Sequence, residues 1–412
     1  MTDSNFENML NGWMSDASDI VALHLRQKLL PIEDSGIIFP PTYADIGYNI
    51  DMLSDGTKVA TIDTVGSQAN RMEPIFKSTG KNEKGKELNP LAELVPQIQI
   101  ELHTKGEGKV THVERRSLLD LAHRSADAVV QASPTLKELM APAFLALRNR
   151  SDAGPLCTLA PTSLVFGVWD SRGESGEKRP RLVRSIIRAW NVEPLFSAAQ
   201  FNSVWKYLDE EQQEGLKAEE KLKDRAARSD VGLADAPSTF RKVSESAARQ
   251  MTEFRSGSPN PERRVLGGVI VRGEVVREVT INLVALRAIR GTLVDKDSKE
   301  QRADGEIRCY LLALALLAAT HDQDLFLREG CLLRYADNEQ WTRVPRRGKV
   351  DPVPVDFGSA EARSKLANYA NEAVKPFKKH WPPTHKLSHK FSLQEAKKLL
   401  QKKKNADVPA AQ

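Results

Sequence analysis

The most apolar stretch of the chain is Tyr310–Ala319 (YLLALALLAA). A membrane span needs about 20 such residues. Half that length predicts a buried helix, which the surrounding sequence extends to Ala303–Thr320. The N-terminus, MTDSNFENMLNGW, is acidic and lacks the charged-then-apolar pattern of a secretory leader. Cys157, Cys309 and Cys331 lie far apart, with no CxxC and no nearby histidine pair. They predict neither a disulfide scaffold nor a standard zinc site, and the expected setting is a reducing cytoplasm with no metal and no cofactor.

The charge is unevenly distributed. The chain has 412 residues and a formal charge of +5, but residues 375–404 hold ten lysines against the single acid Glu395. That segment is +9, which leaves −4 for everything else. A nucleic-acid partner must therefore be argued from local clusters rather than from the overall balance. The length predicts two or three domains at roughly 150 residues each, and no repeat is visible.

Local periodicity predicts short strands interleaved with helices. Ile20–Arg26 alternates with period two, as a strand does, and Lys58–Val65 is a β-branched strand running into Gly66-Ser67 and a helical segment. Residues 95–103 alternate as a half-buried strand. Ser117–Ala132 and Leu136–Asn149 read as helices, and Ser163–Trp169 as a strand. Val265–Leu283 reads as two strands about a turn at Arg272-Gly273, either a hairpin that projects Arg272 and Arg277 outward or, by default, a plain twisted hairpin. Residues 78–88 and 231–262 are polar excursions, and 207–230 is a charged helical segment. The pattern predicts an α+β or α/β sheet core with elaborations.

Four clusters are candidates for function. In TIDTVGSQANRMEPIF (61–76), Gly66 lets backbone approach a ligand, while Ser67, Gln68, Asn70 and Arg71 form a phosphate-sized donor set. The alternative is that Ser67 caps the helix and Arg71 solvates it, and spacing alone does not separate the two. No Walker-type loop is present. The second cluster, 170–188, carries Arg172, Lys178, Arg179, Arg181, Arg184 and Arg188, which suit a repeating anion or a solvated loop. In the third, His123 and Arg124 sit mid-helix beside Asp120 and Asp127, as an acid/base pair or as hydrogen-bonded structural residues. The fourth is the lysine tail with Phe377, Trp381 and Phe391, either a single-strand binder or a solubilising tail. No catalytic set emerges.

The motifs FPPTYADIGYNID (39–51), IDTVGSQANRMEPIF (62–76), SLLDLAHRSADAV (117–129), PTSLVFGVWDSRG with KRPRLVRSIIRAWNV (161–192), and VALRAIR with CYLLALALLA (284–318) resemble the RAMP-superfamily backbone subunit of type I-G (formerly I-U) CRISPR effector complexes, a Cas-seven-type family. The resemblance covers most of residues 20–335. It implies an RNA-recognition-like (ferredoxin-like) palm with a helical insertion and a projecting β-hairpin thumb. It implies an N-terminal arm at 1–19, the palm at 20–335 with flexible insertions at 78–94 and 207–262, and a C-terminal extension at 336–412. The implied role is non-enzymatic: several copies polymerise head to tail along the guide RNA (crRNA) in a Cascade complex and present it to target DNA, beside Cas-five-type, Cas-six-type and large subunits. No membrane partner is expected. Gly66, Ser67, Gln68, Asn70 and Arg71 become guide-phosphate candidates, joined by Arg172, Lys178, Arg179, Arg181, Arg184, His123 and Arg124. The alternatives are a general single-strand binder and a metal-dependent ribonuclease on the same palm, for which the loop aspartate of related backbone subunits points to Asp63, Asp170 or Asp304, although nothing in their surroundings supports the role.

Overall fold

The computed structural model describes residues 2–43, 46–106, 109–171, 173, 175–197, 204–219, 228, 233, 265–294 and 299–406. The elements that position the site are, in chain order, helix α1 (Asp3–Met14), strands β1 (Ile20–Pro31), β2 (Ile50–Met52) and β3 (Lys58–Asp63), helices α2 (Val65–Met72) and α3 (Pro134–Arg150), strands β4 (Val183–Trp190) and β5 (Val275–Asn282), helix α4 (Asp304–Thr320), strands β6 (Phe326–Arg328) and β7 (Cys331–Pro345), and helix α5 (Ala360–Lys378). The seven strands form one antiparallel sheet in the order β6-β7-β1-β5-β4-β3-β2, and Asp351–Pro352 hooks onto β7. The fold is mixed α+β.

Alternation in β1 sets the register. Leu23 and Leu25 lie opposite Ile281 and Val279 of β5, and all four are buried. Residues 24, 26 and 28 consequently point to the other side of the sheet. On the core side lies α4, whose residues from Tyr310 to Ala319 are all buried, as expected of a helix that is apolar all round. Each of its buried leucines contributes about 1.5–3 kcal/mol. Helix α5 packs on α4, with the Tyr310 and Phe377 rings stacked at 4.6 Å. The N-terminal arm is also part of this core: α1 buries Phe6, Leu10, Trp13 and Met14, and Phe6 meets Phe357 edge-on at 6.4 Å.

Several sequence expectations need correction. Residues 117–132 are not one helix: a strand, Lys109–Ser117, runs into the segment, followed by two short 3₁₀ turns and Ala128–Gln131. Arg124 adopts φ +54°, which no helix continues through. Residues 163–169 are mostly helix, Pro161–Phe166, ending at Gly167 with φ +81° before a two-residue strand, Val168–Trp169. All six helical residues are buried, so the segment has no polar face to mark its period, and Pro161 starts it. The half-buried strand begins at Gln99 rather than Val95.

The segments on either side of Arg272-Gly273 do not form a hairpin with each other. Val265–Val271 pairs with Val192–Ser197, and β5 pairs with β4. A ribbon of residues 183–197 against 265–282 thus passes from the main sheet into a separate three-stranded sheet. The bend lies at Asn191, φ +53°, and Gly273. The Gly273 N–H donates to Trp190 O, and a Cβ there would meet the same oxygen at 2.6 Å. Arg277 is not projected but sits 1% exposed inside the core.

The expected boundary at 335/336 falls inside β7. The excursion at 78–94 ends in a packed turn, Pro90–Leu94, with Ala92 and Leu94 buried. Much of the lysine-rich segment is folded: Ser388–Lys390 pairs in parallel with Gln99–Glu101, His389 Nδ1 lies 2.9 Å from Thr135 Oγ1, and helix Leu393–Ala406 follows. Of residues 207–262, Glu210–Ala218 is helical, and most of 220–262 lies outside the described residues. Among the described residues no helix is long and apolar enough to cross a membrane.

Candidate nucleic-acid interface

Helix α2 follows β3 as the sequence predicts, but its cap is Thr64, whose Oγ1 accepts from the Ser67 N–H at 3.2 Å. Ser67 is half-buried and Asn70 exposed. A Cβ at Gly66 would meet only Thr64 Oγ1, at 4.0 Å, so packing does not demand the glycine. Gln68 is fully buried and its carboxamide is used at both ends. Its Nε2 donates to Asp63 at 2.7 Å, and its Oε1 accepts from Ser185 of β4, also at 2.7 Å.

Arg71 is likewise engaged, donating to Asp63 Oδ2 at 3.1 Å and to Leu327 O at 2.7 Å. Arg328 approaches the other Asp63 oxygen at 3.6 Å and donates to Ile62 O. Asp63, 1% exposed, therefore ties β3, α2 and β6 together. Asp63→Asn is expected to lower stability by about 1.5–3 kcal/mol, the range for hydrogen bonds to a charged group. Urea unfolding tests this, and an unchanged midpoint would count against the pin.

Arg124 forms a second internal knot. Its Nε lies 2.6 Å from Glu73 Oε2, with exposures of 4% and 1%. Its other nitrogens donate to Gly167 O and Asn70 Oδ1, each at 3.3 Å, and the guanidinium lies 5.4 Å from the centre of the Phe166 ring. Burial pushes the Glu73 carboxyl up to about 7, against the opposing pull of Arg124. His123 beside it is exposed.

The Arg181 stem passes over Gly167, where a Cβ would meet its Cγ at 2.8 Å. Burial, and then the neighbouring Arg124, lower its pKa. Lys178 lies 5.3 Å from the centre of the exposed Trp169 ring, and Arg179 pairs with Glu177 at 2.9 Å. Asn70, Arg124, Gly167 and Arg181 are thus contiguous. Arg172 lies outside the described residues.

The structure separates this group from Arg184. Along β4, Val183, Ser185 and Ile187 face the core, whereas Arg184, Ile186 and Arg188 face away from α2. Arg184 and Arg188 share that open face with His24, Arg26 and Lys28, which sequence reading passed over. The same alternation that identified β1 as a strand was the signal: its even positions from 24 to 28 are all basic or imidazole.

The aspartates of a nuclease reading are engaged. Asp170, 2% exposed, accepts from Ser175 Oγ at 2.5 Å, and Asp304 accepts from the Gly291 N–H at 2.9 Å and pairs with Arg302 at 2.9 Å. Among the described residues no cluster of three or more His, Cys, Asp or Glu is placed to hold a metal ion.

No curated protein matches the sequence. The resemblance carried by the motifs stands over residues 23–194, which match the family model of CRISPR-associated protein GSU0053, a Cas-seven-type family associated with type I-U/I-G systems.

Proposed function

We propose that the chain is a guide-RNA (crRNA)-binding backbone subunit of a type I CRISPR effector complex, polymerising along the guide and holding it for pairing with target DNA. The observation that carries this reading is the family match over 23–194, which includes most of β1 and all of α2 and β4. The strand order supports a palm of the RNA-recognition type: β7-β1-β5-β4 places the fourth, first, third and second strands side by side. Helix α2 lies in the first crossover and α4 in the second. The ribbon of 192–197 with 265–271, leading out of the sheet, is the proposed thumb base.

The subunit is read as non-enzymatic. Guide binding by shape and backbone leaves sequence reading to base pairing and requires no catalytic group. Its partners in this reading are crRNA, target DNA through the guide, further copies of itself and the other Cascade subunits. Native mass spectrometry and electron microscopy of the protein purified with its guide are expected to show a multi-copy ribonucleoprotein. A monodisperse, RNA-free monomer that takes up no guide would overturn the reading. Regular Mg²⁺-dependent cutting of complementary RNA would favour the ribonuclease instead.

A further inference from the structure

A partly enclosed cavity of about 200 Å³ lies between the last turn of α3, the helix Pro161–Phe166, the approach to β4 and the helix Leu283–Arg287. Leu147, Leu164 and Leu182, all buried, and Ile289 form its walls. The residues that complete the lining, Ala153, Ala285 and Ala288, are too small to fill the space. Backbone hydrogen bonds hold the walls apart: the Ala153 N–H donates to Arg290 O at 2.9 Å, and the Leu182 N–H donates to Val165 O at 2.8 Å. An apolar cavity of 150 Å³ takes up benzene, so this one has room for an apolar group of about six carbons.

The mouth is polar and its charge has one sign. Arg179, Arg290 and Ser151 stand there, and among the described residues no carboxylate lines the cavity. Arg290 Nη1 donates to Arg287 O at 2.6 Å, and its Nε faces Asp304 at 3.6 Å, a carboxylate that Arg302 already engages at 2.9 Å. Arg290 Nη2 has no partner among the described residues. Arg179 pairs with Glu177 through Nε alone, at 2.9 Å, which leaves its two terminal nitrogens for another acceptor. Both pairs involve partly exposed arginines and are weak enough to yield to a better-placed anion. The carbonyl end of α3 reaches the same mouth at Ser151, and Arg148 and Arg150 in its last turn offset its negative pole.

Aliphatic walls below two guanidinium groups fit a small molecule that is apolar at one end and anionic at the other. A nucleic-acid strand could reach the arginines but would leave the leucine walls empty, and an amine would meet two like charges. We infer that this cavity binds a small monocarboxylate, its alkyl or aryl group among Leu147, Leu164 and Leu182 and its carboxylate on Arg290 and Arg179. The inference goes beyond the RNA-binding reading and does not depend on it.

Saturation-transfer NMR titrations of the full-length protein with acetate, butyrate, hexanoate and 1-hexanol test it. Hexanoate should bind saturably, with each methylene from acetate to hexanoate tightening binding by roughly fourfold, the equivalent of about 0.8 kcal/mol per buried methylene. Hexanol should bind roughly tenfold or more weakly than hexanoate, and Arg179→Gln/Arg290→Gln should erase that difference. Ala285→Leu, which fills the cavity, should weaken hexanoate at least tenfold. Ala288→Leu, at an exposed position of the lining, gives the same test should Ala285→Leu lose its circular-dichroism signature.

A wild-type chain that binds no hexanoate would overturn the inference. So would equal affinity for acetate and hexanoate, which is surface ion pairing alone, or hexanol binding as tightly as hexanoate, which is an apolar cavity that selects no anion. Hexanoate binding unchanged in both leucine variants would place the ligand elsewhere on the chain and overturn it too. Guide uptake is measured separately, by the ribonucleoprotein experiment above, and none of these outcomes alters it.

Discussion

Arg124→Ala is expected to lower stability by about 3–5 kcal/mol, because it removes the partner of a buried carboxyl, which must then take up a proton, and leaves buried acceptors unpaired. The guanidinium it removes also satisfies Gly167 O and Asn70 Oδ1, so the helix ending at Phe166 and the exposed face of α2 lose their shared anchor. Removing an exposed cation from the same neighbourhood, such as Lys178, should change stability by no more than about 0.5 kcal/mol. Tryptophan-monitored urea unfolding compares the two. Equal midpoints would show that the Arg124–Glu73 pair is not buried in solution.

The pair also has a pH signature. With a folded-state pKa of about 7 against an ordinary 4.5, Glu73 holds its proton more tightly in the folded chain. Below about pH 4.5 the carboxyl is neutral in both states. Above about 7 it is charged in both, and the folded state alone bears the burial cost. Its contribution to stability therefore falls as pH rises through that window, by up to roughly 3 kcal/mol. Glu73→Gln should flatten this fall. In Arg124→Ala the carboxyl pKa should climb further and carry the fall to higher pH.

The elements that could be read from sequence were those whose period and cap lie within a dozen residues. Strand β1 shows its alternation, the junction from β3 to α2 has Gly66-Ser67 after a β-branched run, and α4 is apolar all round. The false helix at 117–132 arose because Leu118, Leu121, Ala122, Ser125 and Val129 have helical spacing in a segment held by non-local contacts. Arg124 takes its left-handed backbone where Glu73, Gly167 and Asn70 receive its guanidinium. The donor set at 66–71 was visible as a pattern of residue types, but not its acceptors. Gln68 meets Ser185, 117 residues later, and Arg71 meets Leu327, 256 residues later. Local spacing identifies donors; only the sheet order reveals which of them are already taken. The same holds for Arg184, whose side of the sheet depends on β4 being paired with β5 rather than exposed in a loop.

Arg277 gives the second large effect, and here the choice of replacement decides its size. Its guanidinium is buried with no carboxylate in hydrogen-bond contact among the described residues: it donates to Ser185 Oγ at 3.4 Å, Gln27 Oε1 at 3.1 Å and Ala319 O at 3.3 Å, and approaches Met72 Sδ at 3.5 Å. Burial lowers its pKa. Glu339 is one step removed, accepting from Gln27 Nε2 at 3.2 Å. Arg277→Ala should cost about 3–5 kcal/mol, since it leaves a large cavity between β1, β4 and α4 and strands several acceptors. Arg277→Met fills most of that volume without a charge to desolvate. By the logic of buried ions exchanged for apolar groups of similar size, it should recover more than half of the loss. Urea midpoints of the two variants against wild type decide the matter: a Met variant as unstable as the Ala variant would mean that the hydrogen bonds, rather than the filled volume, hold the three elements together.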